Sequence, residues 1–288
     1  MTDNSTLVRM AAFPDGRCGG NPAGVVLDAS RLTDGDLQAI ATDLGYAETA
    51  FVVGPVAGVA GALHVRYFSP VAEVPFCGHA TIATAVVLAE RQGTGHLDFH
   101  TPAGVVATTT RSTAGGIVAE FTSPEPRITA IDPDVLRRLL QILALQLDDL
   151  SDSFPPRLAD AGNVHPVLAL RERDRFDTIG FDPTVLRRLM VEQGWAATVT
   201  ILFPLDALTL EARNLFPVGT MNEDPATGSA AAAVGGYLRA LDLVEPPARI
   251  VIRQGHHVGI PCRLEVAVPP HGGITVSGSA RHLAAGAS

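Results

Sequence analysis

The chain has 288 residues, of which 47% are hydrophobic, 18% charged and 5% aromatic. This is the composition of a globular protein with a sizeable core, and no apolar run reaches the roughly 18 residues that suggest a membrane span. The formal net charge of −9 argues against nonspecific nucleic-acid binding, which needs basic patches for the phosphates. We therefore expect neither a nucleic-acid nor a membrane partner.

The basic residues and the cysteines narrow the chemistry further. All 21 basic residues are arginine, which excludes the lysine Schiff base of pyridoxal phosphate enzymes and the lysine of a Walker A loop. The 3 cysteines are dispersed, which argues against a disulfide framework and against a structural zinc site. The polar segment 1–5 lacks the apolar core of a signal peptide, so we expect a cytoplasmic protein with reduced thiols.

The first elements of the chain are short strands with one amphipathic helix between them. The helix is predicted to begin after Thr33 as its N-cap and to end at Gly45. Glu48 directly precedes a strand. The predicted strands lie at 7–12, 23–27, 49–53 and 62–68.

A motif containing proline and glycine follows, with the sequence EVPFCGHA at 73–80. It opens a helix, predicted over about 79–91, that has almost no polar face. A helix that is apolar all round is normally buried in the middle of a fold. Because short strands follow it at 97–99, 104–110 and 116–121, we expect a curved sheet wrapped around this helix.

The same plan returns 150 residues later as EDPATGSA at 223–230, before a second apolar helix predicted over about 229–240. The segments 163–170 and 199–203 likewise resemble 21–27 and 50–53. We therefore predict two related domains, at 1–123 and 127–273, joined by the proline-containing linker 123–126. A C-terminal strand, at about 274–288, is expected to return to the first domain.

Each apolar helix begins at a glycine, Gly78 or Gly228, where unpaired N–H groups and the helix dipole attract anions. The alternative is a purely structural role, in which these glycines only permit tight strand-to-helix turns. Since the feature is duplicated and a polar residue follows each glycine, we favour two helix starts that hold a small carboxylate.

The two motifs differ at polar positions, and such differences mark candidates for chemistry. We align Glu48 with Ala197, Cys77 and His79 with Thr227 and Ser229, and Val74 with Asp224. Glu48 lies between an apolar helix and an apolar strand, which suits a general acid–base residue, although a carboxylate at a strand end is often just exposed.

Cys77 and His79 suggest a nucleophile with its base, but side chains at i and i+2 across a turn need not meet. Cys77 also fits a small buried hydrophobe. We predict no metal site, because no second pair of ligands accompanies these two residues.

Together with GNPA at 20–23 and ETAF at 48–51, these motifs resemble the phenazine-biosynthesis isomerase family (PhzF-like), over about 8–279 of the chain. The resemblance implies the α+β diaminopimelate epimerase-like fold. That fold has two pseudo-symmetric domains, each a β-barrel-like sheet wrapped around a central buried α-helix, with the site in the cleft between them.

The resemblance also implies a cofactor-independent isomerase or epimerase that moves a proton on a small carboxylate, such as trans-2,3-dihydro-3-hydroxyanthranilate. Glu48 would carry the proton, and His79 and Asp224 would complete the acid–base set. A homodimer is implied as well. The implied substrate-binding positions are Gly78, Gly228, Ser229, Cys77 and Thr227.

Two departures leave alternatives open. Racemases on this fold use one cysteine from each half, whereas the second half here offers Ala226 and Thr227, which disfavours a two-thiol mechanism. Where the family usually has Gly-Arg-Pro-Ser, this chain has Ile260 and Cys262 in place of the arginine and serine. The alternatives are a non-catalytic small-carboxylate binding or regulatory protein and an amino-acid racemase or epimerase dependent on Cys77.

Overall fold

The computed structural model describes residues 7–219 and 221–284, so the predictions for 1–5 and for the end of the C-terminal segment lie outside the described residues. The described residues form two compact units. One contains the chain up to Thr122 together with the residues from Ser277 onward, and the other is Ser123–Val276. No helix in the described parts of the chain has the length and apolarity that crossing a membrane requires.

The elements alternate between short strands and a few helices. The helices are α1 Asp34–Leu44, α2 Gly78–Gln92, α3 Pro133–Ile142, α4 Arg173–Asp177, α5 Pro183–Gln193 and α6 Gly228–Ala240. The strands are β1 Leu7–Ala12, β2 Asn21–Val26, β3 Glu48–Pro55, β4 Ala62–Phe68, β5 Glu73–Val74, β6 His96–Thr101, β7 Gly104–Thr113, β8 Gly116–Thr122, β9 Arg127–Ala130, β10 Arg157–Asp160, β11 Val164–Ala169, β12 Val199–Pro204, β13 Thr209–Leu215, β14 Glu223–Asp224, β15 Ala248–Gln254, β16 Cys262–Val268 and β17 Thr275–His282.

The strands of the first unit close into a barrel. Neighbours pair in the order β1, β2, β3, β4, β6, β7 and β8, with parallel pairing only at β2–β3 and β4–β6. β17 then pairs with both β8 and β1 and completes the ring. Helix α2 contacts β1, β2, β3, β7 and β8, and its residues from Gly78 to Ala89 are all buried. The predicted fold of a sheet wrapped around an apolar helix is confirmed here.

The second unit repeats this pairing plan around α6. β10, β11, β12, β13, β15 and β16 pair in that order, and the parallel pairs are β11–β12 and β13–β15. β9 pairs with β10 as β17 pairs with β1. The second unit also has a core between its outer helices, where Leu139 of α3 and Leu186 and Met190 of α5 are fully buried. The predicted duplication therefore extends to strand order and direction.

The strand registers correct one predicted correspondence. In the first unit Thr49 lies opposite Phe68, which lies opposite Glu73. In the second unit Val199 lies opposite Leu215, which lies opposite Glu223. Val199 is thus the counterpart of Thr49, and the residue that corresponds to Glu48 is the one before Val199, Thr198.

Our alignment of Glu48 with Ala197 was therefore wrong by one residue. It was anchored on the glycines that end the preceding helices, Gly45 and Gly194, both of which adopt the left-handed conformation. The second unit has one more residue between that glycine and the position that corresponds to Glu48. The turn accommodates the extra residue, and the strand register is preserved. A shift of the register by one residue would turn every strand side chain to the opposite face of the sheet.

An arginine–glutamate pair fixes the start of each motif. Arg66 donates to both carboxylate oxygens of Glu73 at 2.8 Å. Arg213 donates to Glu223 in the same way, with a shortest distance of 2.8 Å, and this second pair is buried. Because both carboxylates are held by arginine at the hairpin before the helix, Glu73 and Glu223 serve the scaffold rather than the chemistry.

Candidate active site

The first motif positions its side chains through a short extended segment between β5 and α2. Cys77 is the N-cap residue with extended backbone angles, and Gly78 and His79 are the first residues of α2. The Cys77 thiol does not cap the helix. The thiol and the imidazole therefore both lie at the helix start, where backbone N–H groups point out of the first turn.

Glu48, at the start of β3, completes a triangle of reactive groups with these two side chains. The Cys77 thiol lies 3.5 Å from Glu48 Oε2 and donates to it. His79 Nε2 lies 3.5 Å from the same oxygen. Cys77 Sγ is 3.3 Å from His79 Nδ1 and 3.8 Å from Nε2. The structure thus brings together three residues that the sequence singled out separately.

The environment of the triangle keeps its imidazole neutral. Burial lowers the pKa of His79 to about 4, an effect that a hydrogen bond with the Pro22 backbone partly offsets. The Asn21 side-chain amide lies 3.2 Å from His79 Nδ1. Glu48 retains 13% side-chain exposure against 4% for His79. The carboxylate is therefore more exposed than the neutral imidazole beside it.

The second motif holds Asp224 in a network of its own. The Thr227 hydroxyl donates to Asp224 Oδ2 at 2.6 Å. The Gln254 side-chain amide donates to the Asp224 main-chain oxygen at 2.7 Å and to the Thr227 hydroxyl at 3.0 Å. The Gln254 oxygen accepts from the Thr227 backbone N–H at 3.2 Å. Thr227, the counterpart of Cys77, therefore orients a carboxylate where the first motif has a thiol.

Ser229, the counterpart of His79, belongs to a different hydrogen-bonded chain. Its hydroxyl lies 3.1 Å from His165 Nε2. His165 Nδ1 lies 2.9 Å from the Thr198 hydroxyl and 3.1 Å from the Thr198 carbonyl. The Thr198 and Thr200 hydroxyls both donate to Asn214 Oδ1 at 2.7 Å.

The direction of the hydrogen bonds in this network, from Ser229 through His165 to Thr198, follows from the bond between Thr198 and Asn214. Because the Thr198 hydroxyl gives its proton to Asn214, that hydroxyl accepts from His165, so Nδ1 carries the ring proton. Burial lowers the pKa of His165 to about 4, against smaller opposing effects of Thr198 and Asp160, so the ring is neutral at pH 7. Nε2 is then an acceptor, and Ser229 donates to it. The partly exposed Ser229 oxygen is left to accept hydrogen bonds.

Two of these residues, His165 and Gln254, were not singled out by the sequence analysis. Single histidines in apolar strands usually belong to the core, and His165 interrupts one such strand. Gln254 follows Ile250 and Ile252 on the buried face of β15. Gln254 could have been recognised as a buried polar residue, because it continues the alternating pattern of the buried residues on this strand.

The predicted site residues thus form three groups. Glu48, Cys77 and His79 meet at the start of α2, beside Gly78. Asp224 and Thr227 meet at the start of α6, beside Gly228. Ser229 lies in the chain through His165. In the part of the chain that the structure describes, the cluster with the donor atoms for a metal ion is the first group, whose donor atoms lie within 4.8 Å of one another.

The departure from the family pattern near the C-terminus lies in the second unit. Cys262 is buried, and its thiol donates to the Ile260 carbonyl at 3.3 Å. A Cβ atom on Gly255 would lie 2.1 Å from the Ile260 carbonyl oxygen and 2.7 Å from that of Pro225. The turn that carries Ile260 therefore packs directly on the backbone of the second motif.

A barrel around a buried helix, repeated in a second unit, is the diaminopimelate epimerase-like fold that the resemblance implies, and a carboxylate, a thiol and an imidazole meet at one of its helix starts. The chain matches the family model of phenazine biosynthesis-like proteins (PhzC-PhzF) over residues 10–286 and belongs to that family. The predicted family, fold and isomerase class are thereby confirmed.

The chain also resembles individual members. It is 33% identical over 270 residues to an uncharacterized isomerase of Deinococcus radiodurans, covering 91% of this chain and 86% of that one. It is 29% identical over 244 residues to the trans-2,3-dihydro-3-hydroxyanthranilate isomerase of Pseudomonas fluorescens, covering 84% and 82%. A solved structure of a predicted epimerase from Pseudomonas aeruginosa matches with a TM-score of 0.83 and 26% identity over 96% of both chains.

Proposed function

We propose that the chain is a cofactor-independent isomerase or epimerase that moves a proton on a small carboxylate, with Glu48 as the proton carrier. The observation that carries this proposal is the placement of the Glu48 carboxylate. It is partly exposed, it lies at the start of a buried helix, and it is oriented by the Cys77 thiol and the neutral ring of His79. A base that must remove a proton from carbon needs such fixed geometry.

In this mechanism the Glu48 carboxylate takes the proton from an acidic C–H of the substrate. The resulting carboxylic acid returns the proton to another carbon or to the opposite face of the same carbon. His79 stays neutral near pH 7, so it lies beside the Glu48 carboxylate as a neutral polar neighbour rather than as a cation. Asp224, oriented by Thr227 and Gln254, is the second acid–base residue in the proposed set.

The substrate would be held by groups of opposite polarity. The first-turn N–H groups at Gly78 and Gly228 suit a carboxylate. The Ser229 oxygen, which gives its proton to His165, suits a donor such as an amine or hydroxyl. A small molecule with a carboxylate and an amino or hydroxyl group fits both requirements. The activity named for the Pseudomonas fluorescens relative, on trans-2,3-dihydro-3-hydroxyanthranilate, supports this substrate class.

The test uses the purified protein in heavy water with a panel of small carboxylates that includes dihydro-3-hydroxyanthranilate. Proton NMR follows the loss of C–H signals. We expect deuterium to enter one substrate with the native protein and with Glu73→Gln, which alters the motif carboxylate held by Arg66. We expect no incorporation with Glu48→Gln. Exchange that persists in Glu48→Gln would remove Glu48 from the mechanism.

The two alternatives predict different outcomes of the same experiment. A binding or regulatory protein would hold one panel member tightly and leave it chemically unchanged. A cysteine-dependent racemase would lose all exchange on alkylation of Cys77 and in Cys77→Ser, whereas the glutamate mechanism retains exchange in Cys77→Ser. The homodimer and the cytoplasmic location remain predictions.

A further inference from the structure

We propose that Glu48, Cys77 and His79 form a binding site for a thiophilic divalent cation, of which Zn²⁺ fits best, and that the bound cation switches the site off. The cation binding stands on geometry alone. Its inhibitory effect rests on the proposed role of Glu48, because a carboxylate bound to a metal cannot carry a proton.

The three donor atoms already have nearly the spacing that zinc requires. The distances are 3.5 Å from Sγ to Oε2, 3.5 Å from Nε2 to Oε2 and 3.8 Å from Sγ to Nε2. Zinc bonds of about 2.3 Å to sulfur and about 2.0–2.1 Å to nitrogen and oxygen, at tetrahedral angles, put sulfur about 3.6 Å from the other donors and nitrogen about 3.4 Å from oxygen. Adjustments of about 0.2 Å would therefore suffice.

The chemistry of the donors selects the kind of ion. A thiolate, an imidazole and a carboxylate together suit Zn²⁺ and other borderline or soft ions, whereas Mg²⁺ and Ca²⁺ prefer oxygen donors only. On binding, the Cys77 thiol loses its proton to solvent and its sulfur bonds the metal. His79 contributes the Nε2 lone pair. Three protein ligands leave a fourth position for water or another small ligand.

An outer partner for the imidazole is also in place. A metal-bound histidine usually donates its other ring N–H to an oxygen, which fixes the ring. The Asn21 amide lies 3.2 Å from His79 Nδ1. A 180° rotation of the Asn21 side-chain amide exchanges its nitrogen and oxygen, so that the oxygen faces Nδ1–H while the side chain stays in place. His79 is therefore held in the orientation that metal binding through Nε2 needs.

The second unit provides an internal contrast. At the three corresponding positions it has Thr198, Thr227 and Ser229, whose neutral hydroxyls are poor zinc ligands. Each of these hydroxyls also takes part in the hydrogen bonds described above. We therefore expect one zinc ion per chain, and it should be bound by the first unit.

The first measurement titrates tag-free, metal-free protein with Co²⁺ and Zn²⁺ in the absence of substrate. We expect one equivalent of Co²⁺ to produce a thiolate-to-cobalt charge-transfer band, which Zn²⁺ abolishes and excess chelator removes. Cys77→Ser should lose the band and weaken Zn²⁺ binding by more than about 100-fold, since loss of an outer partner alone typically costs about 10–100-fold. Cys18→Ser and Cys262→Ser are matched controls that should retain both.

A second measurement needs no variant, which guards against misfolding of Cys77→Ser. Iodoacetamide labelling followed by mass spectrometry compares protein with and without Zn²⁺. We expect Zn²⁺ to protect Cys77 and to leave the exposed Cys18 as reactive as before. Absence of a thiolate band, or unchanged Zn²⁺ affinity in folded Cys77→Ser, or equal labelling of Cys77 with and without Zn²⁺, would overturn the proposal.

Inhibition is then tested separately in the heavy-water exchange assay. One equivalent of Zn²⁺ should stop exchange, and chelator should restore it. If Zn²⁺ binds as expected but the native protein exchanges no substrate, the cation site stands and the proposed isomerase mechanism fails. If Zn²⁺ binds at Cys77 and exchange continues at full rate, the switch is wrong and the binding site remains.

Discussion

The starts of the two buried helices use the same backbone for different chemistry. The first carries a carboxylate, a thiol and an imidazole within mutual contact, and the second carries hydroxyls at the same three positions. Strand order, parallel pairings, the arginine–glutamate pair and the apolar helix are common to both units. The difference teaches that the duplicated scaffold is preserved by packing, while the side chains at each helix start are free to take separate roles.

In the second unit, the place of the Glu48 carboxylate is taken by Thr198, and the imidazole comes from β11 instead of the helix. His165 bridges Thr198 and Ser229, whereas His79 contacts Glu48 directly. The first arrangement can gain and lose a proton. The second fixes the direction of a hydrogen bond. The predictions below test this division of roles.

The largest expected effect is the loss of proton transfer in Glu48→Gln. Glutamine preserves the shape of the side chain and removes its basicity, and a positioned acid–base group contributes typically about 10²–10⁴-fold to the rate. We expect turnover on the identified substrate to fall by about that factor. Thr198→Val, at the corresponding position in the second unit, should reduce turnover far less. Similar losses in both variants would contradict the division of roles.

The next largest effect concerns the arginine–glutamate pair, which is buried in one unit and partly exposed in the other. In Arg213→Met, the Glu223 carboxylate is left buried without its partner, which typically costs about 3–5 kcal/mol in the free energy of unfolding. Arg213 also donates to the carbonyls of Phe176 and Asp177, so these contacts are lost as well.

The matched variant Arg66→Met breaks the same pair where solvent can screen it, and it should cost about 1 kcal/mol or less. Urea denaturation of both variants measures the two costs. A cost for Arg66→Met that equals that for Arg213→Met would show that burial does not set the strength of the pair.

The two buried histidines predict a pH dependence of stability. Both pKa values are about 4 in the folded protein, below the usual value of 6.5. The unfolded chain therefore binds more protons between these limits, so stability should rise from about pH 4 to about pH 6.5 and fall as the pH decreases through that window. Denaturation midpoints in His165→Gln and in His79→Gln should each show a shallower slope than the native protein. An unchanged slope in both would contradict neutral burial.

The smallest effect is expected for Ser229→Ala. It removes one acceptor for the substrate, which is worth roughly 0.5–1.5 kcal/mol, or about 2- to 13-fold in binding. We expect KM to rise with little change in kcat, as befits a substrate-binding group rather than a proton carrier. Ser112→Ala, at an exposed position of β7, is the matched control. A large drop in kcat with unchanged KM would move Ser229 into the proton-transfer step.

Much of this architecture could be predicted from the sequence because its signals are local. Glycine before an apolar run predicts a helix start, and two apolar helices with similar flanking strands predict duplication. The cap at Thr33 was recognisable for the same reason, and its side chain accepts a hydrogen bond from the helix.

The parts that could not be predicted depend on packing between distant segments. The register of β12 depends on sheet pairing that no local pattern encodes, so the counterpart of Glu48 was misplaced by one residue. The role of His165 depends on Thr198, Asn214 and Ser229, which are scattered along the chain. Whether Cys77 and His79 meet depends on the extended backbone at the helix N-cap, which two residues of sequence do not determine.

The closing strand of the first barrel has a consequence for biosynthesis. β17 pairs with β1, with Met10 opposite His282, so the barrel joins the two ends of the described chain. The second unit, by contrast, is a continuous stretch of sequence. As the chain leaves the ribosome, the first barrel lacks its closing strand β17 until the other strands of the second unit have been made. Of these two units, the one whose synthesis begins first is therefore the one whose barrel is completed second.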